Sequence, residues 1–206
     1  ILQNVSQFIC LGTPKDYTEH QYWTTTFDSI LARDDLPTYN CDHFITAAGK
    51  GSRFKDTNYS KPKILLEFAQ KALIEHSVDS IKAESVQIIT LSGYLNEINS
   101  LPFSSNSVKI TPVNNTPASQ LDSLKILNDS VKSPRHIVVS SADYSFRINN
   151  KSFKQFIKEN NPDIVIFTSS WLEYIHGPIH NYGFVDCDQS GFVQTVEEKV
   201  EKLRHS

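Results

Sequence analysis

Methionine is missing altogether from the 206 residues, and the chain opens on Ile1. A cytoplasmic protein of this size ordinarily has several. The sequence is therefore expected to be a fragment, or to have lost positions, and motif spacings are read with a residue of tolerance. Cysteine is scarce: Cys10, Cys41 and Cys187 are odd in number, scattered, and form no C-x-x-C pair. That argues against a zinc site or a disulfide framework and for reduced thiols in a cytoplasmic protein. No apolar run approaches the roughly twenty residues of a membrane-crossing helix, and the N-terminus carries no signal-peptide pattern. Basic charge is not in excess either; a formal net charge of −3 offers no face for a nucleic acid. No low-complexity segment interrupts the chain. What is present, 39% hydrophobic and 21% charged residues, is ordinary for a globular protein. The length suffices for one domain with a real core, with or without an appendage.

Short apolar runs alternate with amphipathic ones. "DHFITAA" (42–48) reads as a buried strand, and "KALIEHSVDSIKA" (71–83) puts Leu73, Ile74, Ser77, Val78 and Ile81 on one helical face. "VQIITL" (86–91) is a second strand, followed by a weaker helix through "YLNEINSL". "VKITPV" (108–113) is a third strand and "SQLDSLKILNDSV" (119–131) an amphipathic helix. "HIVVSSAD" (136–143) is a fourth strand ending on an acid, "NKSFKQFIKENN" a helix, and "DIVIFTSS" (163–170) a fifth strand. "YGFVDCDQSGFVQTVEEK" (182–199) alternates apolar and polar residues around "DQSG", which predicts a β-hairpin. Strands alternating with helices predict an α/β fold: an open, mostly parallel, Rossmann-like sheet with helices on both faces and an added antiparallel hairpin.

Residues 1–40 fit this rhythm poorly. A strand-like piece, a Gly-Thr-Pro turn and a helix bearing Tyr17, His20, Tyr22, Trp23 and Phe27 lead into "ARDDLPTYN", which reads as a linker. A boundary is expected near Asn40, with 1–40 as an appended segment and 41–206 as the core.

The segment "TAAGKGSRFKDTNYSKPK" (46–63) holds the densest chemistry. In an open α/β sheet the loop after the first strand lies at the carboxyl edge, where ligands bind, and glycines there let backbone N–H groups approach a phosphate. A dinucleotide G-x-G-x-x-G would need glycine where Phe54 stands. A P-loop would need its lysine after the second glycine, whereas Lys50 precedes Gly51. Both patterns fail.

"AAGKGSRF" followed by "KPK" resembles instead the signature of the sugar-phosphate nucleotidyltransferases, roughly A-G-x-G-[ST]-R-[LF], a spacer and P-K. "ILLEFAQKALIEHSVDSI", "VVSSAD" and "YGFVDCDQSGFVQTVEEK" are similar to three further segments of that family, in the same order, so that the resemblance covers roughly residues 43–199. It implies the nucleotide-diphospho-sugar transferase fold. It also implies transfer of a nucleotidyl group from an NTP to a sugar 1-phosphate or similar phosphorylated headgroup, with release of pyrophosphate, in surface polysaccharide synthesis. Such a reaction needs no general base, because the attacking phosphate is already an anion; it needs two polyanions held together and their charge neutralised.

The resemblance assigns Arg53, Lys63 and Asp143 to catalysis, with Asp143 holding Mg²⁺. Ala48, Gly49, Gly51, Ser52, Arg53 and Gln120 would bind the nucleotide. Gly183, Glu198 and Lys199 would face the sugar phosphate. The partners implied are an NTP and a phosphorylated small molecule, with no nucleic acid and no membrane; a homo-oligomer is compatible with it.

Each residue has a plainer reading. Gly49 and Gly51 can shape a turn, Arg53 and Lys63 can be solvated cations, and Asp143 can cap the segment after its strand. The run Glu197-Glu198-Lys199 can be a solvated face. Lys61 is read as solvated, and His176 and His180 as loop residues, because Gly177-Pro178 breaks any helix that would align them.

Val200 stands where the family has proline, and "TPAS" (116–119) lacks an expected glycine, which bears on base recognition at Gln120. "FICLGTPKDYTEHQYW" resembles the strand and helix that close a domain of this family, so 1–40 is expected to be the tail of an upstream tandem domain or a permuted part of this one. The alternative function is a catalytically silent module that binds a nucleotide or sugar phosphate and regulates or scaffolds a biosynthetic partner.

Overall fold

The computed structural model describes residues 13–31, 39–54, 61–105, 107–128, 136–146, 148–169 and 182–198. The chain divides into two compact units, one of residues 29–159 and one of residues 1–28 with 160–206.

The unit of residues 29–159 is built on four parallel strands in the order β5-β4-β1-β6. These are β1 (Cys41–Ala47), β4 (Ser85–Leu91), β5 (Val108–Val113) and β6 (His136–Ser141). β1 is central, pairing Ile45 with Ile88 of β4 and Phe44 with Val139 of β6. Side chains alternate across a strand, so β1 feeds two cores. Ile45 and Ala47 pack with Ile88 of β4, Ile74 and Val78 of α2 (Leu73–Val78), and Ile98 of α3 (Leu95–Asn99). Phe44 and Ala48 pack with Ile89 of β4 and Leu127 of α4 (Gln120–Asn128). Helices thus cover both faces, so β1 and β4 are buried on both sides, the polar Asp42, His43, Gln87 and Thr90 included. Each fully buried isoleucine among them contributes about 1.5–3 kcal/mol relative to exposure.

The helix expected over 71–83 is shorter. Lys71–Ala72 forms β3 and pairs with β2 (Glu67–Phe68) around Ala69 and Gln70, both with positive φ (46° and 64°). Two left-handed residues close a tight hairpin, a conformation usually given to glycine or asparagine. Helix α2 starts only after it, with Glu75 Oε2 accepting from the Ala72 N–H at 2.8 Å. α4 is capped by Ser119, whose Oγ accepts from the Asp122 N–H at 3.1 Å. Asn149 caps α5 (Asn150–Asn160) in the same way, accepting from the Ser152 N–H at 3.0 Å.

α1 (Pro14–Leu31) begins in the other unit, and its first turn is held reciprocally by Thr13 and Asp16. The Asp16 N–H donates to Thr13 Oγ1 and the Thr13 N–H to Asp16 Oδ2, each at 3.2 Å. The predicted hairpin forms from β7 (Gly183–Cys187) and β8 (Val193–Glu198), antiparallel, with a bulge at Asp186/Cys187. Asp188 Oδ1 closes its turn by accepting from the N–H groups of Ser190 and Phe192. The fifth strand expected at 163–170 does not form over 163–169; Ser170 lies outside the described residues. Ile164 is 82% exposed, and Ile166 and Phe167 are also exposed. An apolar run makes a strand only through a ladder partner and a buried face, which composition alone does not supply. Residues 1–12, the linker at 32–38, 129–131, His176, His180 and Lys199 also lie outside the described residues.

Candidate functional site

β1, β4, β5 and β6 run parallel, so the segments that follow them emerge at one edge, the carboxyl edge of the sheet. A cleft of about 350 Å³ opens there. Its wall includes Ala48, Gly49, Lys50 and Gly51 after β1, Thr116 and Ser119 between β5 and α4, Gln120 at the start of α4, Ser141 at the end of β6 and Asp143 just after it. Pro62 and Lys63 close it from the side.

The turn after β1 is shaped by Gly51, whose φ of +59° lies in the left-handed region, and the Phe54 N–H donates to the Gly51 carbonyl at 2.9 Å. Ser52 is exposed on the 3-10 turn Ser52–Phe54 and is not part of the cleft wall; Arg53 lies on the same turn, its side chain outside the described residues. Pro62 fixes the entry to a second 3-10 turn, Lys63–Leu65, whose Ile64 and Leu65 are buried while Lys63 turns to the cleft. The Lys63 ammonium lies 5.6 Å from the Phe54 ring centroid and pairs with Asp143 Oδ2. The other carboxylate oxygen, Oδ1, accepts from Ser141 Oγ at 2.5 Å. Partial burial alone would raise the Asp143 pKa, but the bonds from Lys63 and Ser141 outweigh it and hold the carboxyl below its usual range.

Under Asp143 runs a buried polar chain. His43 Nε2 lies 2.8 Å from Ser140 Oγ, Ser140 Oγ lies 3.1 Å from Ser77 Oγ, and Ser77 Oγ donates to the Ser141 carbonyl at 3.1 Å. Each hydroxyl has one proton, so the last bond sets the direction of the rest. Ser77 gives its proton to the carbonyl, Ser140 gives to Ser77, and His43 donates from Nε2–H. The Nδ1 atom is then the bare nitrogen, and it has no partner among the described residues. Burial of His43 lowers its pKa to about 4, which keeps the ring neutral. The end of β6 that presents Asp143 is therefore tied to α2 through Ser77 and to β1 through His43.

Of the residues expected from sequence, the structure brings together Ala48, Gly49, Gly51, Lys63, Gln120 and Asp143. Gln120 Nε2 donates to Thr46 Oγ1 at 3.1 Å across the cleft. Gly183 and Glu198 face each other across the β7–β8 hairpin, the Glu198 side chain lying outside the described residues. Sequence reasoning passed over Thr46, Lys50, Tyr94, Thr116, Ser119, Ser123 and Ser141, which also line the cleft. Ser141, two residues before an acid at a strand end, carried a readable signal; Thr116, whose Oγ1 is buried without a partner among the described residues, carried none.

A parallel sheet with a glycine turn, a lysine and an aspartate gathered at its carboxyl edge defines an α/β protein with a charged ligand cleft. The chain belongs to the nucleotidyl transferase family, whose sequence pattern matches residues 43–205. Over 54 residues it is 48% identical to the bifunctional protein GlmU of Francisella tularensis subsp. novicida (strain U112), and equally to that of strain SCHU S4. That stretch is 26% of this chain and 11% of GlmU, so the match spans about a tenth of that relative. The fold is similar to that of a UDP-glucose pyrophosphorylase complexed with UDP-glucose (TM-score 0.55, 17% identity, 78% of this chain and 69% of that one). It is similar also to HddC from Yersinia pseudotuberculosis (TM-score 0.52, 19% identity, again 78% and 69%). No helix among the described residues is long and apolar enough to cross a membrane.

Proposed function

We propose that the protein transfers a nucleotidyl group from an NTP to a sugar 1-phosphate or a similar phosphorylated headgroup, releasing pyrophosphate, in the synthesis of a surface polysaccharide. One observation carries this reading: the left-handed glycine turn, Lys63 and Asp143 meet in a single cleft at the carboxyl edge. Family membership supports it, as does the fold shared with a UDP-glucose pyrophosphorylase. A phosphate oxygen of the acceptor attacks the α-phosphorus, the bond to the bridging oxygen breaks, and its electron pair leaves with pyrophosphate. The backbone N–H groups of the Gly49–Gly51 turn bind the triphosphate. Lys63 neutralises charge at the transferring phosphorus, and Arg53 clamps the outer phosphates. Gln120, which donates to Thr46 Oγ1 in the free protein, turns to hydrogen-bond the base edge.

The residues fit a Mg²⁺ ion: Asp143 Oδ2 already faces a cation, the Lys63 ammonium. Among the described residues no cluster of three His, Cys, Asp or Glu side chains offers a metal cage. One carboxylate completed by phosphate oxygens and waters is the kind of site magnesium accepts. When bound there, the ion would offset triphosphate charge and favour pyrophosphate departure.

The test is pyrophosphate release from each of the four NTPs with Mg²⁺, offered with a panel of sugar 1-phosphates and phosphocholine. Release with one pair, abolished in Asp143→Asn, is expected. No release from any pair, with NTP binding retained, would favour a silent binding module.

A further inference from the structure

Three charged side chains line the cleft among the described residues, Lys50, Lys63 and Asp143, and two of them are bonded to each other. Asp143 is the one carboxylate in that described lining, and both its oxygens are engaged, Oδ1 by Ser141 and Oδ2 by Lys63. We infer that Lys63 occupies the cation position on Asp143 in the free protein, so that the cleft takes a divalent cation tightly only as its complex with a polyphosphate. This rests on reading the cleft as a triphosphate site.

The geometry supplies the exchange. A bare divalent cation arriving at Asp143 would have to displace Lys63 and would gain one protein carboxylate in return, a poor bargain for an ion that sheds water reluctantly. A polyphosphate changes the balance, because the glycine turn that would receive it borders Lys63 itself: a Cβ on Gly51 would stand 3.4 Å from Lys63 Cβ. Phosphate oxygens seated there offer the ammonium a new partner within reach of its flexible stem. Asp143 Oδ2 is then free for the cation the polyphosphate brings. One ion pair is replaced by two, Lys63 with phosphate and Asp143 with metal. Ser141 keeps its bond to Oδ1 and holds the carboxylate in place throughout.

Mn²⁺ binding followed by electron paramagnetic resonance tests this, with Mn²⁺ alone and Mn²⁺ plus inorganic tripolyphosphate as probes. Wild-type protein should bind Mn²⁺ alone weakly and far better with tripolyphosphate. Lys63→Met should tighten binding of Mn²⁺ alone by about three- to tenfold, the scale of a partly exposed ion pair. Lys50→Met removes the same charge from the same cleft and should change it by less than about twofold. Unchanged affinity in Lys63→Met, or an equal gain in Lys50→Met, overturns the inference. Asp143→Asn separates the two readings. Mn²⁺ lost there without any gain in Lys63→Met removes the exchange and leaves the metal site standing; Mn²⁺ retained there removes both. Should Lys63→Met fail to fold, the ¹⁵N signal of Lys63 Nζ in the wild type decides. It should shift with Mg²⁺ plus tripolyphosphate and stay put with Mg²⁺ alone, and a full shift with Mg²⁺ alone overturns the inference.

Discussion

A Cβ built on Gly51 would stand 3.4 Å from the Cβ of Lys63, on a backbone whose φ is +59°. The glycine turn and the lysine turn are therefore in contact, although eleven residues separate them in the chain, and a side chain at 51 meets both strain and its neighbour. Gly51→Ala should cost about 1–2 kcal/mol, the penalty for a non-glycine residue held in the left-handed region. Gly51→Val, branched at Cβ, should in addition lose NTP binding while the sheet folds. Calorimetry on the folded variant checks this; undiminished affinity would mean that the turn does not hold phosphate.

Lys63→Ala separates transition-state from ground-state effects. A cation placed beside the transferring phosphorus acts mainly when charge moves there, so turnover should fall at least about a hundredfold while nucleotide affinity changes much less. Steady-state kinetics read alongside a direct binding measurement decide the matter. An unaltered kcat would take Lys63 out of the mechanism.

His43 makes the fold sensitive to acid. Its pKa is about 4 in the folded protein and near 6.5 when unfolded, so the unfolded chain takes up its proton first as pH falls. The stability His43 contributes as a neutral ring is complete above about pH 6.5 and is lost progressively down to about pH 4. Asp143, also held low, adds to the loss in the same direction at more acid pH. Between pH 7 and pH 4.5 the loss due to His43 should be about 2 kcal/mol. His43→Gln, which can still hydrogen-bond but does not titrate, should flatten that part of the profile. Urea unfolding of both proteins at the two pH values measures it, and identical pH profiles would rule His43 out as the cause.

Much of the architecture was legible because the chemistry was local. The T-P-x-D start of α1 names its own capping partners, Thr13 and Asp16. The "DQSG" turn places an acid where two N–H groups converge and a glycine at φ +84°. The apolar runs of β1 and β4 state that both faces are buried. Nonlocal facts were not legible. Nothing in "FAQKA" announces that Ala69 and Gln70 adopt left-handed backbone, so the pattern starts the helix at Lys71, where β3 stands. "DIVIFTSS" has a strand's composition, but composition cannot supply a ladder partner. Within the cleft, the glycine turn, Lys63 and Asp143 could be found by pattern. Thr46, Ser119 and Ser123 could not, because their place depends on the strand order that sets the start of α4 beside the end of β1. The helical period puts Ser77 on one face with Leu73, Ile74 and Val78 and says nothing of its bonds.

Ser77 links α2 to the strand end that carries Asp143, and its side chain is fully buried. Replacing it with alanine leaves the Ser141 carbonyl with the Tyr144 N–H alone, at 3.2 Å, and takes from the buried Ser140 hydroxyl the acceptor of its proton. Ser77→Ala should cost about 1–3 kcal/mol, the penalty for stranding a buried polar group. Ser140→Ala strands His43 Nε2–H and should cost a similar amount. The double variant should cost less than the sum, because once one hydroxyl is gone the other has already lost half its bonds. A coupling of about 0.5–3 kcal/mol is expected for residues in one hydrogen-bond network, against additivity within about 0.3–0.5 kcal/mol for independent sites. Denaturant unfolding of the four proteins closes the cycle. Additive losses would mean that His43, Ser140 and Ser77 are three separate bonds and not one directed chain, and the tautomer assigned to His43 would lose its basis.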